Sequence, residues 1–308
     1  MPASHRRCCI VVATDQRSER LTDGLHQRLL NSQQAAIVKR GFLRQASLRS
    51  RRVASPANVL VSAREEDRSV WTGPFWFTQP VNRFVSDRGV PTWLSTAAAV
   101  LSLAAKSPSC LVTILPSDFW VARESVLADA IDNVLTALQR APDTVATLGM
   151  SDTHPGAYED YLVVGPGSSE MGAAIQAKAN RPGPSVAKQL LGEGALVASN
   201  ILLGQAHAFA ARVHKYWPQL ARQLNDVTGS VPSPEAEHRL SSDVHRQISR
   251  SVTCSMHMFP LTFAMRAFRV QGSGWCSHKR LNDVQPASAF GLRASSREPN
   301  AIRTDYPR

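Results

Sequence analysis

Asp118 is the residue of this 308-residue chain whose type and position best suit chemistry. It follows the apolar run Cys110–Leu115 (CLVTIL) after Pro116 and Ser117. Such a run reads as a buried strand, and in open α/β sheets ligands bind in the crevice beyond the strands' carboxyl ends. A carboxylate there is placed to hold Mg2+ beside phosphates. A turn or capping aspartate is the competing reading, which Pro116 and Ser117 favour. Position alone leaves the two level. Other constellations are weaker. There is no GxxxxGK[ST] loop, nucleophile elbow, HExxH or CxxC. Val163 to Gly172 (VVGPGSSEMG) has three glycines without dinucleotide-binding spacing, and reads as a hairpin loop. His207 and His214 lie two helical turns apart with no carboxylate nearby to complete a metal site, so they read as surface residues.

The elements that must position Asp118 follow from periodicity. Short β-rich runs alternate with helical patterns, the signature of a layered α/β domain. Residues 8–14, 58–63, 110–115, 144–149 and 195–203 read as strands, with 161–164 and 173–177 as a meander. Residues 93–106 read as a helix, and 123–140 as an amphipathic one with Val126, Ala130, Val134 and Ala137 on its buried stripe. Pro184 opens a short helix ending at Gly192, and 205–224 looks helical. After Thr228 the signal weakens: GSVPSPEAEH reads as a loop, and 285–308 as a disordered tail behind a domain spanning 1–284.

Composition excludes several classes. The formal charge of +11 divides as +8 over residues 1–52, −4 over 53–238 and +7 over 239–308, so the basicity sits in the flanks. No helix-turn-helix or aromatic-stacking motif accompanies those flanks, so nucleic acid is not the expected partner. No run approaches the roughly 18 apolar residues of a membrane span, and the apolar stretch near the N-terminus is shorter than a signal peptide requires. Five cysteines, odd in number and without CxxC spacing, fit a reducing, cytoplasmic setting.

Taken in order, further segments resemble one family. ILPSDF, a helix, and then TLGM–DTHPGAYEDYLVVG resemble the central part of the sugar-phosphate nucleotidyltransferases, most of all the mannose-1-phosphate guanylyltransferases, with their LPxDH and TxGIxPxxPxxxYGYI strands. Gln79-Pro80 and Asn82-Arg83 resemble QPxNRGTAP; NRPGPSVAKQLLGEGALVAS resembles EKPxxxxAxxLLxxGxxWNS; GSGWCSHKRLNDV resembles GWSDLGTPxRL. The resemblance covers roughly residues 8–284.

It implies a Rossmann-like, three-layer α/β fold with a mixed, mostly parallel central sheet. It also implies attack of a sugar-1-phosphate on a nucleoside triphosphate such as GTP, giving a nucleotide sugar (GDP-mannose for a mannose-1-phosphate substrate) and pyrophosphate. Carried over by position, Arg20, Lys39 and Arg181 are the catalytic cations and Asp118 the Mg2+ ligand. Gln79, Arg83, Gly149, Tyr158 and Ser199 are the nucleotide and sugar contacts. The departures are specific. The GGxGTRL loop reads ATDQRSERL, without glycine and with Asp15 and Glu19; Phe119 replaces the histidine of LPxDH; Asn180 replaces the glutamate of EKP; Ser277 replaces the aspartate of GWSD. Two expectations therefore stand together: a divergent active enzyme, or an inactive relative that binds nucleotide or sugar phosphate or scaffolds a partner. Oligomeric state is left open.

Overall fold

The computed structural model describes residues 6–13, 32–68, 82–87, 92–117, 119–151, 159–166, 171–228, 237–240, 265–270 and 275–277. At its centre lies β1 (Arg7–Val12), flanked in parallel by β2 (Val59–Arg64) and β4 (Leu111–Pro116). Every residue of β2 and β4 is buried, because both faces of these central strands are covered by helices. The chain between them forms α1 (Ser32–Val53), β3 (Asn82–Ser86) and α2 (Thr92–Lys106). Beyond β4 come β5 (Phe119–Val121), α3 (Glu124–Gln139), β6 (Val145–Met150), β7 (Asp160–Val164) and β8 (Ala173–Asn180). Then follow α4 (Pro184–Gly192), β9 (Leu196–Gln205), α5 (Ala206–Tyr216), α6 (Pro218–Thr228), β10 (Glu237–Leu240), β11 (Met265–Val270) and β12 (Trp275–Ser277).

Ten strands form one sheet in the order β10-β3-β2-β1-β4-β9-β6-β11-β8-β7, with a further pairing of β7 to β9. Only β8 and β9 run against the others, so the sheet is mixed and mostly parallel. Alternation along β1 and β4 divides the core in two. Ile10, Val12, Val112 and Ile114 join α2, α5 and α6; Cys9, Val11, Leu111 and Leu115 join α1, α3 and α4. The expected three-layer architecture is therefore present. Trp93 and Trp217 stack with centroids 5.2 Å apart, fixing α2 against the corner between α5 and α6. Among the described residues no helix is long and apolar enough to cross a membrane.

Several elements differ from expectation. Pro218 breaks the helix expected over 205–224 into α5 and α6, because it cannot donate an intrahelical hydrogen bond. On α3 the fully buried stripe is Leu127, Ile131, Val134, Leu135 and Leu138, with Val126 and Ala130 only partly buried: the bulkier side chains turn inward. The loop expected through His238 ends early, since Glu237 and His238 begin β10 on the open edge of β3. The strand β11 and the helix α1 had no counterpart in the sequence reading. The proposed tail, 285–308, lies outside the described residues.

Cys8, Cys9 and Cys110 are free thiols, all buried. A hydrogen bond from the Cys110 thiol lowers the pKa of Cys8 against the opposing effect of burial, while Cys110 is raised by the same bond and by burial. Burial, with the neighbouring Cys8 second, pushes Cys9 well above the usual thiol range. His207 is held by Pro108 O at 3.1 Å and Asp143 Oδ1 at 3.0 Å, joining the turn before β4 to the turn before β6. Among the described residues no group of three or more His, Cys, Asp or Glu could hold a metal.

Candidate functional site

The carboxyl ends of β2, β1 and β4 are tied at one level. Ala13 N donates to Ser62 O at 2.8 Å, Ser117 N to Val12 O at 3.1 Å, and the buried Ser117 hydroxyl to Ala13 O at 2.8 Å. The chain thus leaves β4 from a fixed point one residue before Asp118. Asp118 itself lies outside the described residues; its neighbour on the far side, Phe119, is 1% exposed and opens β5. Phe119 faces the interior on the α1 side, its ring 4.5 Å from the Arg49 guanidinium carbon. The Phe119 side chain is thus part of the core on the α1 side.

A two-stranded ribbon gives this segment its second neighbour. β5 pairs antiparallel with β12, setting Ser277 opposite Phe119, Cys276 opposite Trp120 and Trp275 opposite Val121. Directly opposed residues in such a ladder have Cα atoms about 4.5–5.5 Å apart. Residues 119 and 277, some 160 apart in sequence, are thereby set across from one another.

A second cluster forms where β6 meets β9 and β11. Gly149 lies between Ala198 of β9 and Arg269 of β11. A Cβ at Gly149 would stand 2.5 Å from Leu196 Cδ1 and 2.7 Å from Leu196 Cβ, so glycine is required by the close approach of β9. Gly149→Ala is expected to cost about 1–3 kcal/mol by overpacking, read as a lower urea midpoint with unchanged slope. A midpoint equal to wild type would show that Leu196 yields freely. Ser199 is 3% exposed, and its hydroxyl serves the sheet at both ends: it donates to Leu148 O at 2.6 Å and accepts from Ile201 N at 3.0 Å. Asn200 beside it adopts φ 60°, a left-handed conformation that asparagine tolerates better than most residues.

Arg181 follows β8 at φ 45°, half-buried, one residue beyond Asn180. Asn180 lies opposite Asp160, whose buried carboxylate pairs with Lys178 at 3.0 Å. A non-glycine residue in that conformation is strained by about 1–2 kcal/mol. Arg269, which sequence reasoning missed, donates to Ser151 Oγ and Gly194 O, both at 3.3 Å, beside Gly149. The alternation MRAFRV was its only signal, and that lay in a region of weak pattern.

Of the expected site residues, Arg20, Gln79, Asp118 and Tyr158 lie outside the described residues. Lys39 falls within α1. Gly149 and Ser199 share the β6–β9 cluster, whereas Arg83 sits on β3 opposite Val61. Four strands intervene between β3 and β6, a separation of about 24 Å at the usual strand spacing. β4, which leads to Asp118, stands between them. The arrangement is an elongated edge with the end of β4 near its middle.

Solved structures share this architecture. A structure from Thermus thermophilus named as a mannose-1-phosphate geranyltransferase aligns with TM-score 0.64 at 18% identity, covering 88% of this chain and 76% of that one. A mannose-6-phosphate isomerase from Helicobacter pylori aligns with TM-score 0.57 at 16% identity, covering 88% of this chain and 100% of that one. No family model matches the sequence, and no curated protein matches it. The fold is therefore the layered, mixed α/β fold of these two solved structures.

Proposed function

We propose that the protein transfers a nucleotidyl group from GTP or another nucleoside triphosphate to mannose-1-phosphate or a related sugar-1-phosphate. A phosphate oxygen of the sugar attacks the α-phosphorus, the bond to the bridging oxygen breaks, and pyrophosphate leaves with that electron pair. The observation carrying this reading is the β5–β12 ladder, which sets position 277 across from the residue following Asp118. One carboxylate at 118 and a neutral hydroxyl residue at 277 would make a sparse donor set. It fits Mg2+ held chiefly by Asp118, substrate phosphates and water. When bound, the ion would neutralise charge on the transferring phosphate. Arg20, Lys39 and Arg181 would supply the remaining positive charge, with Gln79 and Arg83 toward the nucleotide and Gly149, Tyr158 and Ser199 toward the sugar. An edge of about 24 Å, at the usual strand spacing, suits a ligand of nucleotide-sugar length.

A second reading is favoured by the same donor set and by Asp15 and Glu19: an inactive relative that retains nucleotide or sugar-phosphate binding, or scaffolds a partner. One assay separates the two. Purified protein with GTP, Mg2+ and mannose-1-phosphate is expected to release pyrophosphate in a sugar-dependent manner, and Asp118→Ala is expected to abolish it. No release across several nucleotide and sugar-phosphate pairs sinks the catalytic reading. We place the protein in the cytoplasm, a setting that fits its free, buried thiols.

A further inference from the structure

We propose that Arg269 and Ser151 form an oxyanion-binding site at the carboxyl end of β6, and that its occupant is the phosphate of a sugar phosphate. The occupant, though not the donor set, rests on the proposed function, which puts the sugar at Gly149. β11 sets Arg269 opposite Gly149. Ser151 N donates to Val270 O at 3.0 Å, so the chain leaving β6 stays against β11. The exposed Arg269 side chain then reaches across the end of β6. Its Nη1 donates to Ser151 Oγ and its Nη2 to Gly194 O, in the turn between α4 and β9.

Donors outnumber acceptors here, and that fixes the chemistry of the ligand. A guanidinium carries five N–H donors and no acceptor, and a serine hydroxyl has one O–H to give. Two of the N–H groups are used, one of them on Ser151 Oγ. Among the described residues the other three have no acceptor, nor does the Ser151 O–H, and no carboxylate pairs with Arg269. Glu193, the acid beside Gly194 in sequence, accepts instead from Gln189 Nε2 at 2.8 Å. An oxyanion supplies the missing acceptors, and the guanidinium fork matches phosphate in particular. There is room beside it, since a Cβ at Gly194 would meet nothing within 4 Å. Capping of α4 is a weaker account. An arginine can serve the last carbonyls of a helix, but both bonds measure 3.3 Å, longer than the common value of about 2.9–3.0 Å.

The test measures binding by calorimetry for wild type, Arg269→Gln, Arg269→Lys and Ser151→Ala, with melting temperature alongside. The probes are mannose-1-phosphate, inorganic phosphate and unphosphorylated mannose. Arg269→Gln is expected to melt near wild type, as exposed substitutions usually do. It should bind both phosphate ligands about 10–100-fold more weakly, the worth of hydrogen bonds to a charged group, and leave mannose unaffected. Arg269→Lys keeps the charge but loses the fork, and should recover only part of the loss. Ser151→Ala should weaken phosphate binding about 5-fold, the worth of one hydrogen bond, and decides the question if the Arg269 variants do not fold. Wild-type phosphate affinity in folded Arg269→Gln, or in Ser151→Ala where that variant decides, overturns the proposal; a lowered melting temperature with it assigns Arg269 to the α4 cap. Inorganic phosphate lost in Arg269→Gln, with mannose-1-phosphate bound no better and no pyrophosphate released, upholds the anion site and overturns both its occupant and the proposed function. No binding of either phosphate ligand to wild type overturns the site itself.

Discussion

Arg64→Ala is expected to destabilise the protein by about 3–5 kcal/mol, the cost of leaving a buried charge without its partner. Arg64 ends β2 and is 2% exposed. Its Nε and Nη2 donate to Asp67 Oδ2 at 3.0 and 2.6 Å, and Nη1 pairs with Glu66 Oε1 at 2.8 Å. Asp67 is buried as well, so its carboxylate loses the guanidinium that offsets the cost of its burial. Glu66 is more exposed and loses less. Arg64→Met separates charge from volume: it retains much of the packing and should be nearly as damaging. Arg64→Met with Asp67→Asn removes both charges and should recover a substantial part of the loss. Urea denaturation measures all three, and a single-variant loss below about 1 kcal/mol, the level of an exposed pair, would mean that water reaches the cluster.

The second large effect is a gain. On the proposed reading, Ser277→Asp restores a carboxylate on the strand paired with the segment after Asp118. Divalent cations with few protein ligands lean on substrate phosphates and water, and a second carboxylate strengthens the site directly. We expect Mg2+-dependent pyrophosphate release to rise on the order of 10–100-fold, the span over which groups around metal sites alter affinity or activity, and the Mg2+ concentration for half-maximal rate to fall. Ser277→Asn, similar in shape and neutral, should leave both unchanged. If aspartate and asparagine behave alike, position 277 faces away from the reaction and a carboxylate there has no part in holding the metal. Asp118→Ala combined with Ser277→Asp then shows whether the new carboxylate works alone or only beside the old one.

The parts of the fold legible in the sequence were those where pattern and burial coincide. CLVTIL, buried on both faces, could be little else than a central strand, and Pro184 with Gly192 bracketed α4 at both ends. α1 escaped notice because its buried positions, Phe42, Leu43, Ala46 and Val53, are diluted by arginines and Gly41, and no acidic residue marks its first turn. β3 and β10 are short edge partners whose pairing is non-local, so neither segment advertises it. The site divides along the same line. Order and spacing of motifs carried the resemblance, including the correspondence at Ser277 whose position the β5–β12 register supplies. Side-chain direction was not in the sequence: that Phe119 turns inward beneath Arg49, and that Ser199 spends its hydroxyl on β6 and β9, depends on contacts between elements distant in the chain.

The place of β11 has a consequence for the order of events during synthesis. β11, Met265–Val270, is inserted between β6 and β8, both made some 90 or more residues earlier. Until it emerges, β6 lacks one neighbour and the β7–β8 pair lacks its link to the rest of the sheet on that side. Chains usually acquire structure from the N-terminus as they are made. This one can assemble β1, β2 and β4 early, yet must carry an open seam near one end of its sheet from the making of β6 and β8 until β11 follows. Unpaired strand edges invite pairing with other chains, so the interval before Val270 appears is when this protein is most exposed to self-association.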